Sequence, residues 1–276
     1  VRQLEDLFSI FTVGLGLIGG SISLSLKNKW KRYGYDADSS TLKRAIELDV
    51  IDEAKTIEEG LKSDVILIAI PVQFILDFIK THKDKIDRNS ILIDTGSTKG
   101  KVLEEMKSVN SFYIGGHPLA GKEKGGIENA DPNLFLNKPF ILTEENNLTK
   151  EKLDIVLKLV KDIGSNPVFL NADTHDYILG LTSHLPYVVS LSLFYYLMKK
   201  DQGNLFDFAG SGLRDVTRIA SGDPMMSYGF VKTNKEKIKM FLTEYIETLK
   251  EFLSTIESDD FLHVAEVVKK RRDKIW

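Results

Sequence analysis

Ser9-Ile10-Phe11-Thr12-Val13-Gly14-Leu15-Gly16-Leu17-Ile18-Gly19-Gly20-Ser21 is the stretch whose reading decides the fold. An apolar run at 8–13 leads into Gly14-x-Gly16-x-x-Gly19, and an amphipathic helix candidate at 18–29 follows. Glycines at this spacing between a strand and a helix have separate physical duties. Gly14 permits the tight turn, Gly16 lets the backbone approach a pyrophosphate, and Gly19 lets the helix pack against the strand. The opening turn of the helix, with Leu17 and Ile18, offers unpaired N–H groups to phosphate oxygens. The stretch reads as the first strand–turn–helix of a dinucleotide-binding sheet. The competing reading is an ordinary glycine-rich turn.

Working outward, further apolar runs lie at 31–35, 65–70, 90–94, 112–116, 139–142 and 167–170. Helix candidates at 40–48, 57–62, 72–83, 99–108 and 150–163 separate them. Val65-Ile66-Leu67-Ile68-Ala69-Ile70 is apolar without alternation, as a parallel strand buried on both faces must be. The alternation predicts an α/β fold with an N-terminal Rossmann-type doubly wound, mainly parallel sheet. After residue 171 only helical periodicity remains, at 173–199, 203–220, 223–233, 234–256 and 258–274. The expected domains are therefore 1–170 for the dinucleotide and an all-helical 171–276.

The chain has 276 residues, 42% of them hydrophobic, which suits one large domain or two ordinary ones with a sizeable core. Lys and Arg number 37 against 40 Asp and Glu, a net charge of -3 that exerts no global pull towards nucleic acid or anionic membrane. Cysteine is absent. Disulfides, thiolate nucleophiles and cysteine zinc sites are excluded, and no metal-ligand cluster is visible. The apolar stretches fall short of the ~20 residues of a membrane span, and residues 1–6 carry no signal-peptide pattern. A cytoplasmic protein is expected. Lys269-Lys270-Arg271-Arg272 reads as a solvated helix C-terminus.

Several positions carry chemistry. Asp36 closes the run at 31–35, where a carboxylate accepts hydrogen bonds from ribose hydroxyls and repels a 2′-phosphate, so NAD is favoured over NADP. Pro71, closing the run at 65–70, is counted with the cofactor residues. Ser97, in Asp94-Thr95-Gly96-Ser97-Thr98-Lys99-Gly100, follows another strand candidate and falls near the nicotinamide. So does His117, in Gly115-Gly116-His117-Pro118, within a rigid turn at a strand's carboxyl end. Imidazole is the side chain best suited to exchange a proton near neutral pH. In the helical half, His184 and Tyr187 are three apart on a helix that Pro186 should kink, with His175-Asp176 earlier on it. Arg214 and Arg218, at i,i+4, present two guanidinium groups on one helix face, suited to a carboxylate. His82 and His263 have no motif around them.

Together these segments resemble the prephenate/arogenate dehydrogenases of tyrosine biosynthesis. The resemblance is carried by Gly14–Gly19 with its flanks, Tyr33-Gly34-Tyr35-Asp36, Asp94-x-Gly96-Ser97-x-Lys99-Gly100 and Gly116-His117-Pro118-x-Ala120-Gly121-x-Glu123. His175-Asp176, Thr182-Ser183-His184-Leu185-Pro186 and Asp215-x-Thr217-Arg218-Ile219 complete it. It implies a dinucleotide-binding domain followed by a helical domain that forms a homodimer. It implies that His117 is the catalytic histidine facing the substrate's ring hydroxyl, that Ser97 helps hold that hydroxyl, and that Arg218 binds a substrate carboxylate. Glu123 stands where the family has an acidic residue at the site entrance, and His184 begins a His-Leu-Pro-His pattern. That pattern ends in Tyr187 here, and Ser227-Tyr228-Gly229 replaces a frequent Trp-Arg-Asp after Asp223-Pro224. The implied reaction is NAD-dependent oxidative decarboxylation of prephenate. Arogenate as substrate, another two-domain NAD(P) dehydrogenase, and a non-catalytic nucleotide-binding regulator remain as alternative readings.

Overall fold

The computed structural model describes residues 7–258 and 260–275. Residues 1–6, where the absence of a signal-peptide pattern is expected, lie outside the described residues. The first half alternates strand and helix: β1 (Ser9–Val13), α1 (Leu17–Ser25), β2 (Lys31–Tyr35), α2 (Ser39–Glu47), the two-residue β3 (Glu53–Ala54) and α3 (Ile57–Gly60). There follow β4 (Val65–Ile68), α4 (Val72–His82), β5 (Ile91–Asp94), α5 (Gly100–Met106), β6 (Phe112–Pro118), β7 (Pro139–Asn146), α6 (Lys150–Asp162) and β8 (Asn166–Leu170). They form one eight-stranded sheet in the order β3-β2-β1-β4-β5-β6-β7-β8. All pairs are parallel except β6 with β7. The seven apolar runs become strands, and only the short edge strand β3 escapes the periodicity.

The central strands are apolar on both sides because helices cover both sides. Ile10, Val65, Leu67, Ile91 and Ile93 pack with Ile22 of α1, Leu26 just after it, and Val156, Leu159 and Val160 of α6. Their alternate neighbours Phe11, Val13, Ile66, Ile68 and Leu92 pack with Ile75 and Ile79 of α4 and Val102, Leu103 and Met106 of α5. This is the pleat's period of two read out as two cores. β8 contains Pro167 and is mostly exposed, as suits a strand at the sheet's edge.

The strand order reverses at β1, which pairs with β2 on one side and β4 on the other. The crevice beyond the carboxyl ends at such a switch point is where ligands of this architecture bind. Register is irregular between Ile114 and Gly116 in the β6–β7 pairing, immediately before His117. A Cβ on Gly116 would lie 2.5 Å from the Asp94 carbonyl oxygen, so the two strands reach this closeness only with glycine.

The second half is helical: α7 (Ala172–Leu179), a π turn (Gly180–His184), α8 (Leu185–Lys200), α9 (Ser211–Thr217), α10 (Pro224–Thr233), α11 (Lys235–Glu257) and α12 (Phe261–Arg272). Two expectations are corrected here. The helix expected at 203–220 is broken into a 3-10 turn (Leu205–Phe208), α9 and a second 3-10 turn (Arg218–Ser221). Gly203, Gly210 and Gly222 punctuate it, and glycine disfavours continuous helix. In addition, Ala172–Lys200 is one helical stretch of 29 residues, long and apolar enough by length and composition alone to cross a membrane. In this fold it is fastened instead by buried His175, Asp176 and His184, which face the sheet domain and α10–α11.

Candidate active site

The glycine turn meets its three duties in turn. Gly14 has φ +92°, and a Cβ there would lie 2.6 Å from the Ala69 carbonyl oxygen. A Cβ on Gly19 would run into the Gly14 carbonyl, whereas one on Gly16 meets nothing within 4 Å. Gly16, Leu17 and Ile18 are half-buried, and no side chain caps the N-terminus of α1. Backbone N–H groups therefore stand beside open space, the requirement for a pyrophosphate.

Asp36 is tied to this turn: its Oδ2 accepts from the Leu15 N–H at 2.8 Å and its Oδ1 from the Asp38 N–H at 3.0 Å. It lines a cavity of about 320 Å³ with Val13, Gly14, Ile70, Phe74, Asp77, Phe78 and Thr81 among its walls. The size and the mixture of apolar wall and carboxylate fit an adenosine. Pro71 is exposed at the start of α4, next to Ile70 but outside the cavity wall. The α4 residues of the wall escaped the sequence reading. Their spacing, 74, 77, 78 and 81, is one helix face and was the available signal.

Farther along the same edge, His117 is half-buried at the carboxyl end of β6. Its Nδ1 lies 2.9 Å from Nε2 of His175, and His175 Nδ1 lies 2.8 Å from Oδ1 of Asp176. The Asp176 carboxylate also accepts the backbone N–H of Lys99 at 2.7 Å and of Gly100 at 2.9 Å. Ser97 belongs to that same loop, half-buried and without a side-chain hydrogen-bond partner among the described residues. Lys99 has no exposed surface; its Nζ donates to the Asp94 carboxylate and, at 2.5 Å, to the Gly116 carbonyl. Asp94 also accepts the Gly96 and Gly116 N–H groups at 2.7 and 3.1 Å. The buried side chains of Lys99, Asp94 and Asp176 are thus all paired, and the Ser97 and His117 loops are bolted together.

Burial sets the protonation states. It pushes the His117 pKa well below the usual 6.5, and nearby His175, Lys99 and His184 push in the same direction. His175 is lowered as well, by burial against the opposing pull of Asp176. For Asp176, burial raises the pKa, but the bonds from His175, Gly100 and Lys99 outweigh it and the carboxyl is held low. Near pH 7 the group consists of neutral imidazoles beside an anionic carboxylate.

The helical half closes over this edge. Burial lowers His184 to about 4; it stacks on Phe230 with ring centroids 4.3 Å apart, and Tyr187 meets the same ring edge-on at 5.5 Å. The two residues thus share a face as expected, and Pro186 sits in the first turn of α8, directly after the π turn. The Asn234 amide donates to the Asp176 carbonyl at 2.8 Å and approaches His184 Nδ1 at 3.2 Å. The Tyr187 hydroxyl donates to Ser227 Oγ at 2.9 Å, one of the departures from the family pattern answering the other. A Cβ on Gly229 would strike the amide oxygen of Gln73, whose Nε2 donates to the Met225 carbonyl at 3.1 Å. Glycine at 229 thus lets α10 seat on α4.

Arg218 is exposed and 3.3 Å from the Glu123 carboxylate. Arg214 is exposed on α9, and Arg218 is the C-cap residue of that helix, still in helical conformation, so the two arginines stand one turn apart at its end. His175, Asp176, Lys99, Asp94 and Asn234 carry site geometry to which the sequence reading gave no role. A charged pair at the end of a buried strand and a His-Asp dipeptide on an apolar helix were the signals.

Residues 22–168 match the family described as the nucleotide-binding domain of prephenate dehydrogenase, and residues 171–270 match its dimerization domain. The chain is 32% identical to the prephenate dehydrogenase of Bacillus subtilis, over 99% of this chain and 76% of that protein. It superposes with a TM-score of 0.91 and 30% identity on prephenate dehydrogenase from A. aeolicus in complex with hydroxyphenyl propionate and NAD+, covering 98% and 99% of the two chains. It is also similar to Synechocystis arogenate dehydrogenase, at 27% identity and a TM-score of 0.82, covering 97% and 100%.

Proposed function

This chain belongs to the prephenate dehydrogenase family, and from that premise we propose that it converts prephenate to 4-hydroxyphenylpyruvate with NAD, a step of tyrosine biosynthesis. The observation that carries the reading is a half-buried imidazole, His117, held 2.9 Å from His175 at the carboxyl edge of the sheet that also holds the glycine turn.

Gly16, Leu17 and Ile18 would hold the pyrophosphate of NAD through their N–H groups, with Gly14 and Gly19 shaping the turn, Asp36 would hold the ribose hydroxyls, and Pro71 would lie at the margin. Bound NAD supplies the hydride acceptor for the ring carbon that bears the hydroxyl. His117 accepts the hydroxyl proton as that carbon becomes carbonyl-like, and Ser97 holds the oxygen. The ring carboxylate then leaves as CO₂, its bonding pair aromatises the ring, and the phenolate oxygen takes back the proton from His117. Aromatisation makes the step effectively irreversible. Arg218 binds a substrate carboxylate, with Arg214 adding positive charge nearby and Glu123 at the entrance. His184 and Tyr187 line the side-chain end of the substrate.

In this reading residues 1–170 bind the dinucleotide, and 171–276 complete the substrate site and form a homodimer. Support for the dimer comes from uncovered apolar surface. α12 has no buried residue, and α11 buries only Ile238 and Phe241. Leu191, Tyr195, Leu249, Phe252 and Leu253 are exposed on α8 and α11. A surface of this kind is costly unless a partner covers it. Leu179 and Phe241, by contrast, are spent within the subunit. A chain without cysteine needs no oxidising compartment, and the reading places it in the cytoplasm.

The test is NADH and CO₂ production with prephenate and arogenate side by side. Faster turnover of arogenate sinks the choice of substrate, and turnover of neither sinks the enzyme reading. Light scattering at micromolar concentration tests the dimer.

A further inference from the structure

His175 and Asp176 touch neither the cavity wall nor the glycine turn, yet they determine which nitrogen of His117 carries a proton. The chain of constraint starts at Asp176. Its carboxylate accepts the N–H groups of Lys99 and Gly100, which hold it as an acceptor. The Nδ1 of His175, 2.8 Å away, must therefore be the donor. His175 is wholly buried and neutral, so its Nε2 has no proton and is an acceptor. The Nδ1 of His117, 2.9 Å from that Nε2, must then carry the hydrogen and donate it. The remaining nitrogen of His117, Nε2, is left with a bare lone pair.

We propose that His175 and Asp176 are positioning residues that lock His117 in the Nδ1–H tautomer, leaving Nε2 as the base for the substrate hydroxyl. The proposal rests on the reading of His117 as the proton acceptor and adds the device that readies it. The charged and titratable groups that face the pair are Asp176, Lys99, Asp94 and His184. The relay spans the two halves of the chain: His117 and the Lys99 loop belong to the sheet, His175 and Asp176 to α7. Docking of α7 on the sheet therefore readies the base. As His117 takes the proton its positive charge is stabilised through His175 by the Asp176 carboxylate, as in a Ser-His-Asp triad with one imidazole inserted.

The test is spectroscopic and kinetic. Protein labelled with ¹⁵N-histidine has five histidines to resolve, and loss of signals in His117→Asn assigns His117. Long-range proton–nitrogen spectra of the ligand-free protein at pH 7.5 should show His117 protonated at Nδ1 and bare at Nε2. In Asp176→Ala His175 Nδ1 loses its acceptor, so neither ring is held in one tautomer and His117 should show protonation at Nε2 as well as at Nδ1. Its kcat with prephenate should fall ~10²–10⁴-fold, the worth of general-base help, with the KM for NAD within about 2-fold. As a second variant, His175→Gln keeps an acceptor for His117 and should retain a kcat at least ~10-fold above that of His175→Leu. A wild-type His117 protonated at Nε2, or Asp176→Ala with an unchanged tautomer and kcat, overturns the proposal. The spectra need no substrate. The expected tautomer in a protein that leaves prephenate untouched upholds the lock and defeats only the substrate reading.

Discussion

Lys99 and Asp94 form an ion pair with neither side chain exposed to solvent. The lysine also holds the Gly116 carbonyl, one residue before His117. Burial lowers the Lys99 pKa, and the Asp94 carboxylate beside it opposes that pull. Removing one member of such a pair leaves an uncompensated charge. Lys99→Met should therefore cost about 3–5 kcal/mol, or a Tm lower by about 10 °C in a domain of this size. A Tm within about 2 °C of wild type, read by circular dichroism, would contradict this.

The three fingerprint glycines should separate binding from folding. Gly16→Ala adds a Cβ to open space. It should leave Tm nearly unchanged and raise the KM for NAD at least ~10-fold, because the methyl occupies room a pyrophosphate needs. Gly19→Ala drives a Cβ into the Gly14 carbonyl and should lower Tm as well. Equal effects of the two variants on Tm would refute the distinction.

Asp36 predicts cofactor choice. With its carboxylate on the cavity wall and anchored to the Leu15 N–H, kcat/KM should be at least ~10-fold higher with NAD than with NADP, a difference of ~1–3 kcal/mol. Asp36→Ser should narrow the ratio. Equal efficiency of the wild type with both cofactors would remove Asp36 from this role.

His117 and Arg218 should fail in opposite ways. His117→Asn keeps a hydrogen-bonding side chain but accepts no proton near neutrality, so kcat should fall ~10²–10⁴-fold with little change in KM. Arg218→Ala removes a charge-assisted contact worth roughly 1.5–3 kcal/mol to a carboxylate that persists through oxidation, so KM should rise ~10–100-fold with kcat less affected. If both variants melt early and lose activity together, the two residues serve the fold and not the reaction.

Acid should unfold the protein through its buried histidines. His117, His175 and His184 are all held below the ordinary 6.5, so the unfolded chain binds more protons than the folded one beneath that pH. Stability is full above about pH 6.5 and is lost as pH falls, for His184 down to about 4. Each buried histidine of this kind contributes a slope of up to about 1.4 kcal/mol per pH unit. His184→Gln should flatten the profile. A Tm independent of pH from 7.5 to 5 would show that these rings are protonated in the folded state.

The sequence by itself determined the sheet and the nucleotide edge. A run such as 65–70, apolar at every position, has one physical use beside helices, as a strand buried on both faces. The turn at Gly14, Gly16 and Gly19 is a local device whose duties follow from backbone sterics over six residues. His117 was legible for the same reason, as an imidazole at the end of such a run. Tertiary structure alone decided the company it keeps. His175 is 58 residues away along the chain and reaches His117 only because α7 docks on the loop of Lys99 and Gly100. Periodicity says which face of a helix is apolar and is silent on which polar group a buried imidazole will meet. The pairing of Tyr187 with Ser227, and the room that Gly229 makes for Gln73, likewise depend on α8, α10 and α4 converging. Hydrogen bonds and contacts between distant residues are properties of that convergence, which a one-dimensional pattern does not encode.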